Sequence, residues 1–250
     1  MNTPKILVII PTFNEVNNLS ILTKKIFSQG IPNLDILIVD DNSPDGTACC
    51  ARKLSSIYDE RIHVLDIPHK LGLANAYNQG FNWAISNLYE IIVQMDADLS
   101  HNPIYIREMI DKLDIYDLVI ASRYIQNGDV SNNWSFFRKS ISSLGNFGIR
   151  KALSLNVRDV TSGFKAFNYR TAKSIHWDKI RCSGFGFQPE VTFQCVKFGY
   201  SVFEMPILFD ERLHGKSKMT FTILLETLVK IIEFRLFHAS KFKKTNISNP

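Results

Sequence analysis

"EIIVQMDADLSHNP", residues 90–103, is an apolar run that ends on two carboxylates one residue apart, Asp96 and Asp98. The run does not alternate apolar with polar, so it predicts a strand buried on both faces, the kind found in parallel sheets covered by helices. Working outward, similar runs recur and are followed by helical patterns: "KILVIIP" before 15–29, "LDILIVD" before 45–59, "RIHVLDI" before 72–87, "EIIVQMD" before 103–113, and then "DLVIAS". Strand alternating with helix predicts an α/β fold with a Rossmann-like, mostly parallel sheet flanked by helices. Beyond residue 125 the alternation lapses into a helical stretch near 135–154, a loop "RDVTSGFKAFN", a glycine-rich "CSGFGFQPE" opening another helix, and a strand-like "SVFEMPILF".

At 250 residues and 45% hydrophobic composition, the chain is long enough to bury one substantial core. The expected division is one α/β domain over 1–218 and an amphipathic helix with a basic tail over 219–250. Cys49, Cys50, Cys182 and Cys195 show no metal-ligand spacing, and an adjacent pair is a poor basis for a disulfide framework, which predicts a reducing, cytosolic setting. The opening "MNTPKILVIIPTFNE" lacks the basic, apolar and cleavage segments of an export signal.

The formal charge of +5 is unevenly placed: from Arg212 onward the segment carries +6, leaving −1 on the first 211 residues. A basic tail suits an anionic partner such as a membrane surface, nucleic acid or a phosphorylated substrate, or else simply aids solubility. A nucleic-acid role would need basic residues interleaved with stacking aromatics across a face, and the basic run is confined to the tail. In "MTFTILLETLVKIIEFRLFH", residues 219–238, four charges argue against a membrane span, while Glu226, Lys230 and Glu233 share one helical face. Such a helix could lie in a membrane interface, dock on a partner's membrane helices, or pack on the chain's own core.

In sheets of this kind ligands bind beyond the carboxyl ends of the strands. Polar residues gather there: "PTFNE" after the first strand, "DDNSPDGT" after the second, "DADLSH" after the fourth and "SRY" after the fifth. Turn chemistry accounts for "NSPDG" but not for acidic pairs at two strand ends. Two residues apart on an extended strand, Asp96 and Asp98 would reach one point in the cleft. Mg²⁺ or Mn²⁺ takes oxygen ligands, and Mg²⁺ is held by one or two carboxylates plus substrate phosphates, so the pair predicts a cation tethered to a diphosphate leaving group. A D-x-D alone is also an ordinary solvated turn; its position after a buried strand is what favours the metal.

"VIIPTFNE", "LIVDDNSPDGT", "KLGLANAYNQG", "MDADLSHNP", "ASRY", the Trp134 and Arg138 region, "DVTSGFKAF", "GFGFQPE", "FEMPI" and "ERLHGKSK" occur in an order and spacing that resemble the family 2 inverting glycosyltransferases of the GT-A fold. More narrowly they resemble the polyprenyl-phosphate mannosyltransferases. The resemblance covers roughly residues 5–220 and implies transfer of mannose from GDP-mannose to the phosphate of a polyprenyl, dolichyl-type monophosphate. It assigns Pro11, Phe13, Glu15, Val39 and Asp41 to the donor pocket, Asp96, Asp98 and Ser100 to the metal, and Ala97 to the ribose or diphosphate. It places Arg123, Arg138, Arg212 and Lys218 around the donor diphosphate and acceptor phosphate, with Asp96, Asp98 and Arg123 as catalytic residues. Ser162, Gly163 and Phe164 would shape the acceptor side, and Lys165 stands where many relatives carry Arg. Some relatives append membrane helices; others are a lone catalytic domain working with small membrane subunits or an amphipathic helix, which is the arrangement expected here, peripheral on the cytosolic face of a membrane. The same scaffold also moves glucose, N-acetylhexosamines or modified arabinose from UDP- or other donors to undecaprenyl phosphate or glycans. A catalytically silent binding domain is the other alternative.

Overall fold

The computed structural model describes residues 3–131, 136–180, 182, 184–211, 227 and 229–235, without the side chains of 136–138 and 185. In chain order the first half runs β1 (Ile6–Thr12), α1 (Val16–Phe27), β2 (Leu34–Asp40), α2 (Thr47–Ile57), β3 (Ile62–Asp66), α3 (Leu73–Ser86), β4 (Ile91–Gln94), α4 (Ile106–Lys112) and β5 (Leu118–Ser122). It continues with β6 (Asp129–Val130), α5 (Phe136–Leu153), β7 (Lys165–Asn168), α6 (Tyr169–Ser174), α7 (Phe187–Lys197), β8 (Val202–Pro206) and β9 (Leu208–Phe209).

Seven strands form one sheet in the order β3-β2-β1-β4-β7-β5-β8, and β6 pairs with β9 beside it. All neighbours in the large sheet are parallel except β7, which runs antiparallel to both β4 and β5. The unalternated strands have a direct cause, because both faces are covered. Leu7, Ile9, Leu37, Val39, Ile92 and Ile120 point into one core with Tyr77 and Phe81 of α3 and Phe187 and Val191 of α7. Their neighbours Ile6, Val8, Ile10, Ile36, Ile38 and Val93 point into the other with Leu19, Leu22 and Ile26 of α1 and Ile106 and Met109 of α4. Helix α3 lies so close on the sheet that a Cβ at Gly80 would stand 2.7 Å from Ile9 Cγ2 and 3.2 Å from Val39 Cγ2.

Two expectations are corrected. The stretch "RDVTSGFKAFN" is not all loop: its last four residues are β7, an interior strand paired along its whole length with β4 and through Lys165–Phe167 with β5. "RIHVLDI" supplies the edge strand β3, which is half-buried along most of its length rather than covered on both faces.

Helical residues 229–235 turn Ile231 and Phe234 into the first core, where Phe234 meets Phe193 edge-on at 5.3 Å. Arg235 bonds the carbonyl of Ala152 and donates to Ser154 Oγ at 2.9 Å, joining this segment to the end of α5. Val229 and Ile232 stay exposed. No helix among the described residues is long and apolar enough to cross a membrane.

Candidate active site

The carboxyl ends of β1, β2 and β4 turn away through residues in the left-handed region: Asn14 (φ 62°), Asn42 (φ 60°) and Leu99 (φ 65°). Asn tolerates this conformation; Leu adopts it only at a cost, so the D-x-D turn carries backbone strain at Leu99. Pro11 lacks an N–H but sits past the last pairing of β1 with β4, Ile9 with Gln94, so it removes no bond from that side of the sheet. It pairs with Val39 across β1 and β2, and both are buried.

Behind the β2 end, Asp40 is a structural tie. It accepts from Thr12 Oγ1 (2.8 Å), Ser43 N (2.8 Å) and Ser43 Oγ (2.7 Å). Asp41 instead reaches across to the segment before α3, its two oxygens accepting from Leu71 N (2.7 Å) and Gly72 N (2.8 Å). Lys70, on that same segment, places its ammonium 3.4 Å from the Phe13 ring centroid. Glu15 stands at the start of α1, where its carboxylate accepts from Asn18 Nδ2 (2.7 Å) and its N–H bonds Thr47 Oγ1.

Strand β4 ends at Gln94, so Asp96 and Asp98 stand in the turn after it and not on an extended strand as their spacing suggested. They nonetheless share neighbours: the charges of both act on the buried Tyr77 and His101. Asp96 is half-buried and Asp98 buried, with Ala97 buried between them. Asp98 Oδ1 accepts from Ser100 N (3.1 Å) and Ser100 Oγ (2.5 Å), so Ser100, itself fully buried, is turned onto Asp98. The Asp96 N–H donates to His101 Nδ1 at 3.0 Å. Burial pushes the His101 pKa down, outweighing the two aspartates and keeping the ring neutral with Nδ1 free to accept. His101 stacks on Phe164 and meets Phe209 edge-on, at 5.0 and 5.3 Å. Tyr77 OH points at Asp96 Oδ1 from 3.5 Å, the outer limit of a hydrogen bond, and burial followed by the two carboxylates raises its pKa well above the ordinary value.

Gly163 closes this turn from above. A Cβ there would lie 3.3 Å from Asp96 Oδ1 and 3.4 Å from His101 Cε1, so any larger residue would press the Asp96 carboxylate aside by a few tenths of an ångström.

Arg123, one residue past β5, is largely buried and held by Asp159. Its Nε and Nη2 donate to the two Asp159 oxygens at 2.8 Å each, its N–H donates at 3.0 Å, and Nη2 also reaches Thr161 Oγ1 at 2.9 Å. Burial alone would discharge both groups, but their mutual charge and bidentate bonds outweigh it, holding Arg123 above and Asp159 below their usual ranges. Glu204 on β8 supports the loop from below, accepting from Ser122 Oγ, Arg158 N and Asp159 N at 2.8, 2.6 and 2.8 Å.

Asp96, Ala97, Asp98, Ser100 and Arg123 are therefore brought together at one edge of the sheet, with Pro11, Phe13, Glu15, Val39 and Asp41 along the neighbouring β1 and β2 ends. Arg138 lies in the first turn of α5 with its side chain outside the described residues, and Arg212 and Lys218 lie outside them altogether. The supporting residues Tyr77, His101, Asp159 and Glu204 escaped the sequence. All four sit inside the quoted motifs, but nothing in those motifs says that the partner of His101 is a backbone N–H, that Asp159 holds an arginine, or that Glu204 bonds the loop around it.

Among the described residues no three His, Cys, Asp or Glu side chains gather to enclose a metal. Two carboxylates at a cleft edge fit a hard cation that completes its shell with substrate phosphate oxygens.

The model of Glycosyl transferase family 2 matches residues 7–175. An undecaprenyl-phosphate mannosyltransferase of Micrococcus luteus is 39% identical over 232 residues, covering 93% of this chain and 94% of its own. A polyprenol monophosphomannose synthase of Mycolicibacterium smegmatis is 37% identical over 233 residues, covering 93% and 87%. Among solved structures, glucosyl-3-phosphoglycerate synthase from Mycobacterium tuberculosis, in complex with Mn²⁺, UDP and phosphoglyceric acid, superposes with TM-score 0.66 at 15% identity, covering 92% of this chain and 76% of that one. A mannosyltransferase from Pyrobaculum calidifontis, in complex with GDP-Man and Mn²⁺, gives TM-score 0.64 at 18% identity, covering 94% and 65%. These two structures establish the GT-A fold.

Proposed function

The chain belongs to glycosyl transferase family 2, and on that premise we propose that it transfers mannose from GDP-mannose, with inversion, to the phosphate of a polyprenyl monophosphate, giving a β-linked lipid-phosphate sugar. The observation that carries this reading is the likeness, over 93% of this chain, to two relatives whose names specify mannosyl transfer to such lipids.

The site supports it chemically. Asp96 and Asp98 would hold Mg²⁺ or Mn²⁺, which when bound neutralises charge on the departing diphosphate. Ser100, spending its hydroxyl and N–H on Asp98, fixes that carboxylate's orientation. Pro11, Phe13, Glu15, Val39 and Asp41 form the donor pocket, with Ala97 against the ribose or diphosphate. Arg123 is pre-set by Asp159 to meet phosphate, and Arg138, Arg212 and Lys218 supply further cations for the two anionic substrates.

A phosphate monoester with a second pKa near about 6 is mostly ionised at neutral pH, so the attacking oxygen needs no strong general base. The protein's share of the work is to align that oxygen with the anomeric carbon, opposite the leaving group, and to stabilise the leaving charge. Segment 219–250 is assigned as the membrane-interface element, on the cytosolic face, with small membrane subunits as possible companions. In support of that placement, Val229 and Ile232 remain exposed beside the buried Ile231 and Phe234.

The test is transfer from radiolabelled GDP-mannose, UDP-glucose and UDP-N-acetylglucosamine to short polyprenyl phosphates in detergent. A mannolipid from GDP-mannose supports the reading; product only from a UDP-sugar replaces the sugar and keeps the scaffold.

A further inference from the structure

Lys165 is a fully buried lysine on the central antiparallel strand β7, directly opposite Gln94 of β4. A lysine in that place has no role in the chemistry described so far, and its surroundings are unusual. Nζ donates to Gln188 Oε1 at 2.6 Å and to the Gln188 carbonyl at 3.3 Å, in the first turn of α7. The same Gln188 Oε1 accepts from Gln94 Nε2 at 2.7 Å, and Gln94 Nε2 also donates to the Gly163 carbonyl at 3.1 Å. Three buried polar side chains from β4, β7 and α7 are thus linked, through Gln94, to the backbone of Gly163, which lies against the Asp96 carboxylate.

We infer that Lys165 is a positioning residue of this site, acting through Gln188 and Gln94 to fix the Gly163 backbone against Asp96. The inference rests on the proposed role of Asp96 in holding the metal and the donor diphosphate.

Two observations sharpen it. Gln188 Oε1 carries two donors, an arrangement an ammonium favours strongly and an apolar side chain would break. In the same network Gln94 Oε1 and Gln188 Nε2 have no partner among the described residues, so Lys165 and the single Gln188 oxygen bear the whole connection. Burial pushes the Lys165 pKa down to about 7, against the upward pull of Cys195 on α7, Asp159 on the loop before β7 and Asp96 after β4, while Arg123 after β5 adds to the fall. The ammonium that holds Gln188 is therefore lost as pH rises through neutrality.

The experiment compares wild type, Lys165→Met and Lys165→Arg as full chains, with Asp96→Asn alongside. Lys165→Met should lower kcat about tenfold or more and weaken Mn²⁺ binding in the presence of GDP by a similar factor, read from the free Mn²⁺ electron paramagnetic resonance signal. Wild-type kcat should fall as pH rises through about 7, and Lys165→Arg, charged at every pH, should lack that limb. An unchanged kcat or unchanged Mn²⁺ affinity in Lys165→Met overturns the inference. If that variant does not fold, the same falling limb in wild type and Lys165→Arg, or none in wild type, overturns it equally. Asp96→Asn separates the layers: if it keeps full activity, the underlying assignment of Asp96 fails whatever Lys165 does, whereas a dead Asp96→Asn beside a fully active Lys165→Met removes only the role of Lys165.

Discussion

Replacing Asp159 with Asn removes one negative charge and leaves the Arg123 guanidinium buried without its counter-ion. The structure gives the size of the loss. Asp159 is fully buried, Arg123 nearly so, and three Arg123 donors at 2.8, 2.8 and 3.0 Å end on the two Asp159 oxygens. Breaking a buried ion pair from one side costs about 3–5 kcal/mol, because the surviving charge is stranded in a poorly solvating interior. Equilibrium urea unfolding should therefore show the Asp159→Asn midpoint about 1 M or more below wild type at unchanged slope. Removing Arg123 as well, in Arg123→Met/Asp159→Asn, takes away the stranded charge, so the double variant should cost less than the sum of the singles by about 2 kcal/mol. The pH dependence has a definite sign. Asp159 is depressed in the folded chain, so its contribution is complete above its ordinary pKa of 3.8 and is lost only as acid protonates it below that value. A cost within about 0.5 kcal/mol of zero, or strictly additive singles, would mean that the Arg123–Asp159 pair does not behave as a buried charge pair.

Three further outcomes follow from the same geometry. Lys165 titrates at about 7 folded and 10.5 unfolded, so the unfolded chain binds the extra proton between those values and wild-type stability should rise with pH there, by at most about 5 kcal/mol, while Lys165→Met shows no such rise; parallel urea curves for the two proteins at pH 7 and pH 9.5 would contradict it. Ser100→Ala removes the 2.5 Å bond that orients Asp98 and should weaken apparent Mn²⁺ affinity about tenfold with little change in the unfolding midpoint; an unaltered metal titration counts against that orienting role. Gly163→Ala adds a methyl 3.3 Å from Asp96 Oδ1 and should lower kcat while far-ultraviolet circular dichroism stays unchanged; full activity would show that the contact yields freely.

Much of the scaffold was legible because burial on both faces leaves a plain mark: Ile36 to Val39 and Ile91 to Val93 are apolar without alternation, and each run precedes a helix that covers it. Strand β7 was hidden because "KAFN" is short and opens with a lysine, a residue whose burial depends on Gln188, 23 residues further on. The family resemblance read from the motifs is borne out by the match over residues 7–175. The strand-end carboxylates stood out in the same way, as charges where an apolar run stops. Their supports did not, since the partner of His101 is the Asp96 backbone and the partners of Gln94 come from β7 and α7. Gln94 itself was the visible anomaly, a buried amide inside "IIVQM", and such a residue needs partners that only the fold supplies.

In the proposed function, Asp96 and Asp98 hold a divalent cation for mannosyl transfer to a lipid phosphate. The most direct test is the formation of labelled mannolipid from GDP-mannose and a short polyprenyl phosphate after chelation and on readdition of Mn²⁺ or Mg²⁺, in wild type and in Asp98→Ala. Chelation should abolish product in wild type, the cation should restore it, and Asp98→Ala should recover little at any concentration. Asp98→Ala forming product with wild-type metal dependence would contradict that role of the two aspartates.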